Sequence, residues 1–157
     1  MIDLNELCQF LVKAKKSTYA AGETARKIIE ADKSTTLIFK DGDWEYHDNY
    51  FGGEPYGGRE VVFFQGLPVY MMVYYGWVNE TVTDVQGTYK ILQGALSLIP
   101  EDKPFRGPVE FIQGNLKYSN IFEGEIDNFS GEEIITSTDG KELYKAKYIG
   151  GLVDQRK

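Results

Sequence analysis

From residue 37 onward, short runs of apolar and aromatic residues alternate with turns of hairpin length. The runs at 37–39 and 44–51 are separated by Asp41-Gly42, a dipeptide typical of two-residue β-hairpins. Comparable pairs of runs follow at 60–75, 109–122 and 125–149. Parallel strands need long crossovers, so connections this short indicate antiparallel neighbours. We therefore predict a mainly antiparallel, strongly curved sheet of about seven or eight strands.

Two segments have helical periodicity instead. Residues 3–16 begin with Asp3, a favourable N-cap residue, and Glu6 follows at the capping-box position. The apolar residues of this segment recur at helical spacing: Leu4, Leu7, Cys8 and Leu11, with Phe10 beside them. A second stripe predicts a helix at about 84–99, which Pro100 ends. The segment 17–34 fits either a short helix at 23–31 or a mobile connector.

An N-terminal helix, a middle helix and hairpin-linked strands together predict an α+β fold, with the middle helix packed on one face of the sheet. The length of 157 residues favours a single domain over 1–157. Strands 60–64 and 69–75 are almost continuously apolar. That pattern indicates central strands that are buried on both faces or nearly so.

Composition argues against several classes of partner. A net charge of −7 repels phosphate backbones and anionic membranes, so we expect this chain alone to bind neither nucleic acid nor membrane. One cysteine and one histidine are too few for a disulfide or for a zinc or iron site of the usual type, and we expect no metal and no cofactor. Without a basic leader or a membrane-spanning apolar run, the chain is predicted to be cytoplasmic.

The segment 44–59 is the strongest candidate for a binding surface, because it combines the only histidine with several aromatic rings and two Gly-Gly pairs. The glycines predict a sharp loop at 52–58 with left-handed backbone rather than a phosphate-binding loop. Strand alternation places Tyr46, Asp48 and Tyr50 on one face and His47 on the other. His47 and Asp48 therefore cannot form an acid–base pair with each other.

Other strands add candidates. Arg106 follows Phe105 in a rigid segment, where it either clamps a ligand carboxylate or phosphate or ties the loop to an acidic residue of the sheet. Tyrosines from several strands would place hydroxyls at the mouth of a curved sheet. Glu132 and Glu133 face opposite ways, so they do not form one site. We predict a ligand site without catalytic residues, formed by Tyr46, His47, Asp48, Tyr50, Tyr74, Arg106, Tyr118 and Glu132.

Several motifs occur in a familiar order along almost the whole chain: AKKSTYA (14–20), YHDNYFGG (46–53), YGGREVVF (56–63), YYGWV (74–78), PFRGPVEF (104–111), FSGEEII (129–135) and YIGG (148–151). With them the chain resembles a bacterial family, domain-of-unknown-function family 5680. Members stand alone or follow a helix-turn-helix domain of transcriptional regulators, and this chain resembles the stand-alone form. The resemblance implies a sensory or regulatory role by analogy and transfers no catalytic residue.

Three functions stay open at this point. We favour a non-enzymatic small-molecule-binding or sensory module, with its site between residues 46–58 and 104–108. The alternative is a protein-interaction domain, including a homodimer that forms through a sheet edge or an aromatic patch. Least favoured is an acid–base enzyme that uses His47 or a glutamate.

Overall fold

The computed structural model describes residues 2–156, with the backbone alone for Glu23. It has two α-helices, α1 (Leu4–Ser17) and α2 (Val85–Leu96), and a 3₁₀ helix at Tyr19–Thr24. The strands of the described chain are β1 (Ile28–Ile29), β2 (Thr35–Asp41), β3 (Trp44–Gly52), β4 (Tyr56–Phe64), β5 (Leu67–Val78), β6 (Glu110–Gln113), β7 (Leu116–Glu125), β8 (Asn128–Ser137) and β9 (Glu142–Leu152).

The predicted α+β fold with an antiparallel sheet is confirmed. The nine strands form one sheet in the order β1-β2-β3-β4-β5-β9-β8-β7-β6, and it is not closed into a barrel. Strand β5 pairs with β9, and this pairing joins strands β1–β5 to strands β6–β9 in one sheet. Register shifts at Val62/Phe63 and Ile135/Thr136 mark irregularities of the kind that bend strands. The sheet has one strand more than predicted. The additional strand is β1, which is only two residues long and is too short to show an alternating pattern in the sequence.

Helix α1 begins as predicted. The Asp3 carboxylate accepts hydrogen bonds from the backbone amides of Asn5 (2.8 Å) and Glu6 (3.2 Å). The buried stripe differs slightly from the prediction, since Leu4 is exposed and Phe10 is buried. Phe10 turns inward because its ring stacks on Trp44, with ring centres 5.4 Å apart.

The segment 17–34 does not contain the helix considered at 23–31. The 3₁₀ helix ends at Thr24, and β1 then pairs with β2 at the sheet edge. With few apolar residues to bury, this segment gains its backbone hydrogen bonds from the sheet instead. Helix α2 ends at Leu96 rather than at residue 99. No helix in the described part of the chain is long and apolar enough to cross a membrane.

The helices cover only one face of the sheet, which we call the inner face. Val62, Tyr70 and Met72 point inward and are fully buried. On the opposite, outer face, Val73 and Tyr75 are 47% and 52% exposed. The prediction that β4 and β5 are buried on both faces is therefore wrong. Hairpin connections bring no helix to the second face, unlike the crossovers of a parallel sheet.

The predicted loop at 52–58 is shorter than expected, since Gly57 and Gly58 lie within β4 and lack left-handed backbone. Their role is close packing. A Cβ at Gly58 would lie 2.7 Å from the Tyr74 hydroxyl oxygen, closer than real Cβ atoms approach. At Gly131 a Cβ would likewise overlap the end of the Tyr148 ring. Strand glycines thus make room for inner-face tyrosines.

We expect Gly131→Ala to destabilise the protein by about 1–3 kcal/mol, the usual effect of overpacking. The added methyl would displace Tyr148, whose hydroxyl donates to Asn120 Oδ1 at 2.6 Å. Urea denaturation measures the change. Gly53→Ala is the matched control: apart from its two chain neighbours, no atom of the described residues lies within 4 Å of its Cβ position, so stability should be unchanged or slightly higher. Equal effects of the two substitutions would contradict this packing role.

Candidate functional site

The inner face buries five charged side chains, each at most 7% exposed: Lys15, Asp48, Glu60, Arg106 and Glu133. They come from α1, β3, β4, the segment after α2, and β8. An isolated buried charge is strongly unfavourable, so such groups are expected to pair or to change protonation state. Four of the five form ion pairs, and the fifth is Asp48.

Arg106 pairs with Glu133. Its Nε donates to Glu133 Oε1 at 2.8 Å, and the Tyr118 hydroxyl donates to Glu133 Oε2 at 2.5 Å. Burial alone would lower the pKa of Arg106, but the Glu133 carboxylate and nearby tyrosines outweigh it, and the pKa is raised. The backbone amide of Gly107 donates to the Tyr118 hydroxyl at 3.0 Å. Arg106 is therefore charged and ties its loop to the sheet.

Lys15 pairs with Glu60. The Lys15 ammonium lies 2.8 Å from Glu60 Oε2 and donates to the backbone oxygen of Phe105 at 2.6 Å. Burial lowers the pKa of Lys15, and the Glu60 carboxylate opposes that shift. This pair anchors α1 to β4 and to the segment that carries Arg106.

Asp48 has no ion-pair partner among the described residues. Its Oδ1 accepts the Tyr74 hydroxyl at 2.5 Å. Burial, with the nearby Glu60 carboxylate as the second cause, raises the pKa of Asp48 to about 7. The Asp48 carboxyl group therefore gains or loses its proton near neutral pH, whereas an ordinary aspartate is ionised there.

Asp48 lines a cavity of about 210 Å³ between the inner face, the 3₁₀ helix and α2. Five tyrosines line it: Tyr19, Tyr50, Tyr56, Tyr74 and Tyr89. Gln93 and Arg106 complete its polar lining. At the rim, the Tyr89 hydroxyl donates to the Glu54 carboxylate and lies 3.1 Å from the backbone oxygen of Gly53, which ties α2 to the loop between β3 and β4.

Two tyrosines of the cavity wall, Tyr56 and Tyr74, keep their hydroxyl protons at neutral pH. Burial raises the pKa values of Tyr56 and Tyr74, so both stay un-ionised. The Arg106 guanidinium carbon lies 5.4 Å from the centre of the Tyr74 ring, within cation–π range. One nitrogen of Arg106, Nη2, is buried without a hydrogen-bond partner in the described chain. A second cavity of about 20 Å³ adjoins Arg106 and has room for one water molecule.

Half of the predicted site residues come together here. Those that line the cavity are Asp48, Tyr50, Tyr74 and Arg106. Tyr46 lines the adjoining smaller cavity, and Tyr118 lies behind Glu133 as its hydrogen-bond donor.

The other two predicted residues, His47 and Glu132, lie on the outer face. His47 Nε2 is 2.6 Å from Glu45 Oε1, and Glu132 lies 3.7 Å from Lys145. They line two separate depressions of about 850 and 630 Å³. The sheet therefore separates His47 and Glu132 from Asp48 and Arg106, as alternation along β3 requires.

The outer face also carries exposed apolar side chains. Val73, Tyr75, Ile121 and Ile149 are each about half exposed or more. Val73 and Ile149 are cross-strand partners on β5 and β9. The homodimer alternative stays a prediction, and this surface is where it would apply.

Several residues of the site were not among the predicted site residues, although Tyr56 and Glu133 were considered: Lys15, Tyr19, Tyr56, Glu60, Tyr89, Gln93 and Glu133. For Glu133 a usable signal exists. Phe129 and Ile135 share its strand face, and both are buried. Their apolar character marks 129, 131, 133 and 135 as the inward positions of β8.

The described residues include no cluster of side chains that could ligate a metal ion. Within residues 2–156, no three His, Cys, Asp or Glu side chains gather closely enough to hold a metal ion. The groups that the cavity offers are a carboxyl, a guanidinium, an amide and tyrosine hydroxyls. This set suits recognition of a small polar molecule with an apolar or aromatic part.

Comparison with known proteins agrees with the motif-based resemblance. A family model for a domain of unknown function (DUF5680) matches residues 48–153. This range includes Asp48, Tyr74, Arg106 and Glu133, whereas α1 with Lys15 lies before it. No curated protein and no solved structure matches the chain. The chain belongs to the DUF5680 family.

Proposed function

We propose that this protein is a small-molecule-binding, sensory module whose site is the tyrosine-lined cavity on the inner face. The observation that carries the proposal is Asp48, a buried carboxyl without an ion-pair partner on the wall of a cavity. Burying a carboxyl group without a charged partner lowers the stability of a fold, so its presence here suggests a role other than stability. Binding a ligand is a purpose that justifies the energetic cost.

The architecture around the cavity supports binding. Arg106 and Glu133 hold one wall in place through a charge-assisted hydrogen bond. The opposite wall includes α2 and the 3₁₀ helix, which border the cavity with Tyr89, Gln93 and Tyr19. A ligand between the sheet and these two helices would contact both, so its occupancy would alter the packing of α2 and the surface that α2 presents. That coupling is the sensory part of the proposal.

A thermal-shift screen of a metabolite library tests the proposal. A ligand present at 100 times its Kd stabilises a protein by about 2.7 kcal/mol, which for this length raises Tm by about 5 °C or more. We expect at least one such hit on the wild type. Gln93→Phe, which fills the cavity from α2, should abolish the shift.

Gln86→Phe is the matched control, because Gln86 lies on the same helix but is exposed. It should retain the full shift. A library that stabilises none of the proteins, or stabilises the Gln93→Phe variant as strongly as the wild type, would contradict the proposed site. Mass spectrometry of the ligand after incubation separates binding from turnover: unchanged ligand supports a binding module, and a product would show an enzyme.

A further inference from the structure

We propose that the cavity takes a small organic cation, a protonated amine whose ammonium group binds the free oxygen of Asp48 among the tyrosine rings. This inference rests on the proposed function and names the class of ligand for the same site. No comparison with known proteins assigns such a ligand to the chain.

The first step is the balance of buried charge. Three carboxyl groups, Asp48, Glu60 and Glu133, face two cations on the inner face. Lys15 is committed to Glu60 at 2.8 Å, and Arg106 to Glu133 at 2.8 Å. The described cluster therefore lacks one positive charge, and the place where it is lacking is Asp48. An ammonium ligand supplies that charge.

The second step is the geometry of Asp48. Tyr74 occupies Oδ1, whereas no described residue donates a hydrogen bond to Oδ2. Asp48 is 2% exposed and is one of the residues that line a cavity. The open space beside Asp48 is the 210 Å³ cavity. An N–H group entering the cavity thus finds an unused carboxylate acceptor.

The third step is the lining. The faces of aromatic rings attract cations, and proteins that recognise ammonium groups commonly surround them with such rings. Tyr19, Tyr50, Tyr56, Tyr74 and Tyr89 supply five rings around this cavity. Arg106 does not repel an amine strongly, because Glu133 compensates its charge through a direct hydrogen bond. Arg106 Nη2, which has no hydrogen-bond partner in the described chain, remains a donor for an acceptor atom elsewhere on the same ligand.

Amine binding at this site should depend on pH. An ammonium group pairs with the carboxylate form of Asp48, and burial raises the pKa of that carboxyl to about 7. The charged and titratable groups that act on Asp48 are Lys15 (α1), Glu60 (β4), Tyr74 (β5) and Arg106. Tyr19 of the 3₁₀ helix and Tyr46 of β3 also interact with its charge. Affinity should therefore rise as the pH increases from 6 to 8, with release of a proton from Asp48 at the lower pH.

The test is calorimetric titration with a defined panel of probes. The protonated amines are methylammonium, butylammonium and putrescine, and tetramethylammonium and choline are cations without an N–H donor; butyrate is the anionic and butanol the neutral counterpart for all of them. We expect at least one protonated amine to bind 10-fold or more tightly than butanol. It should bind more tightly at pH 8 than at pH 6. Asp48→Asn should weaken that binding by about 10- to 100-fold, as expected for loss of a charged hydrogen-bond acceptor.

Two further variants keep the outcome unambiguous. Asp41→Asn removes an exposed carboxylate and should leave affinity unchanged. Tyr74→Phe removes the hydroxyl that stabilises ionised Asp48, and should move the pH midpoint of binding upward, which a merely structural role would not do.

If butyrate or butanol binds more tightly than the amines, the cation proposal is wrong. The proposed function would still stand if Gln93→Phe abolishes that binding. Failure of every protonated amine to bind more tightly than butanol would overturn the cation proposal as well. Absence of any hit in the metabolite library would overturn both proposals.

Discussion

Asp48→Asn is expected to stabilise the ligand-free protein at pH 8 by a few kcal/mol, because burial raises the pKa of Asp48 to about 7 and so disfavours its ionised form in the folded protein. Asparagine keeps the shape of the side chain and an oxygen that can accept the Tyr74 hydroxyl. It removes the charge that lacks an ion-pair partner in the described chain. Most substitutions of buried residues destabilise, so a gain of this size would be diagnostic.

The sign follows from the direction of the pKa shift. Asp48 has an ordinary pKa of 3.8 when unfolded and about 7 when folded. Between these values the folded state holds a proton that the unfolded state has released. The wild type should therefore lose free energy of unfolding as the pH rises from about 4 to about 7, and Asp48→Asn should lack this loss.

Urea denaturation of both proteins at intervals from pH 4 to pH 8 measures this effect, and the difference between the two curves isolates Asp48 from other titrating groups. Asp41→Asn, at an exposed position, provides the control and should change stability by less than about 1 kcal/mol. A difference curve that is flat with pH would show that Asp48 is ionised at little cost. The charge-balance argument for a cationic ligand would then lose its support.

Glu133→Gln is expected to destabilise the protein by about 3–5 kcal/mol, the typical effect of leaving one member of a buried ion pair unpaired. Glutamine keeps the volume of the side chain and an acceptor for the Tyr118 hydroxyl. It leaves the Arg106 guanidinium, which is 6% exposed, without its carboxylate. Because Arg106 also borders the cavity, ligand binding should weaken in parallel.

The neighbouring residue offers a matched control. Glu132→Gln is the same substitution one position earlier, on the outer face, where its closest lysine nitrogen is 3.7 Å away. It should alter stability by no more than about 0.5 kcal/mol. The double variant Arg106→Met/Glu133→Gln should be more stable than Glu133→Gln alone, since it removes the unpaired charge. Equal urea midpoints for Glu132→Gln and Glu133→Gln would contradict the assigned roles.

Local pattern was a good guide to strands and to the faces of strands. Alternation along β3 correctly placed Tyr46 and Asp48 on one face of the sheet and His47 on the other. The Asp3 cap and the Asp41-Gly42 turn also occur where local rules place them. These features depend on interactions between residues close in the chain, which a sequence displays directly.

Pairing between distant residues could not be read in the same way. Arg106 meets Glu133 across 27 positions and Asp48 meets Tyr74 across 26. The sequence left Arg106 with two roles, a ligand clamp or a tie to the sheet, and its hydrogen bond to Glu133 shows the tie. That choice depends on which strands become neighbours, and above all on the β5–β9 pairing.

By itself, the sequence determined an α+β fold, an antiparallel sheet and the family, because turn chemistry and side-chain alternation are local. Only the tertiary structure decided which face is covered, since hairpins are compatible with helices on either side. It also decided that two buried cations pair with two glutamates and leave Asp48 beside a cavity. The reason is physical: the protonation state of a buried group depends on the charges and solvent around it in space, and not on its neighbours in the chain.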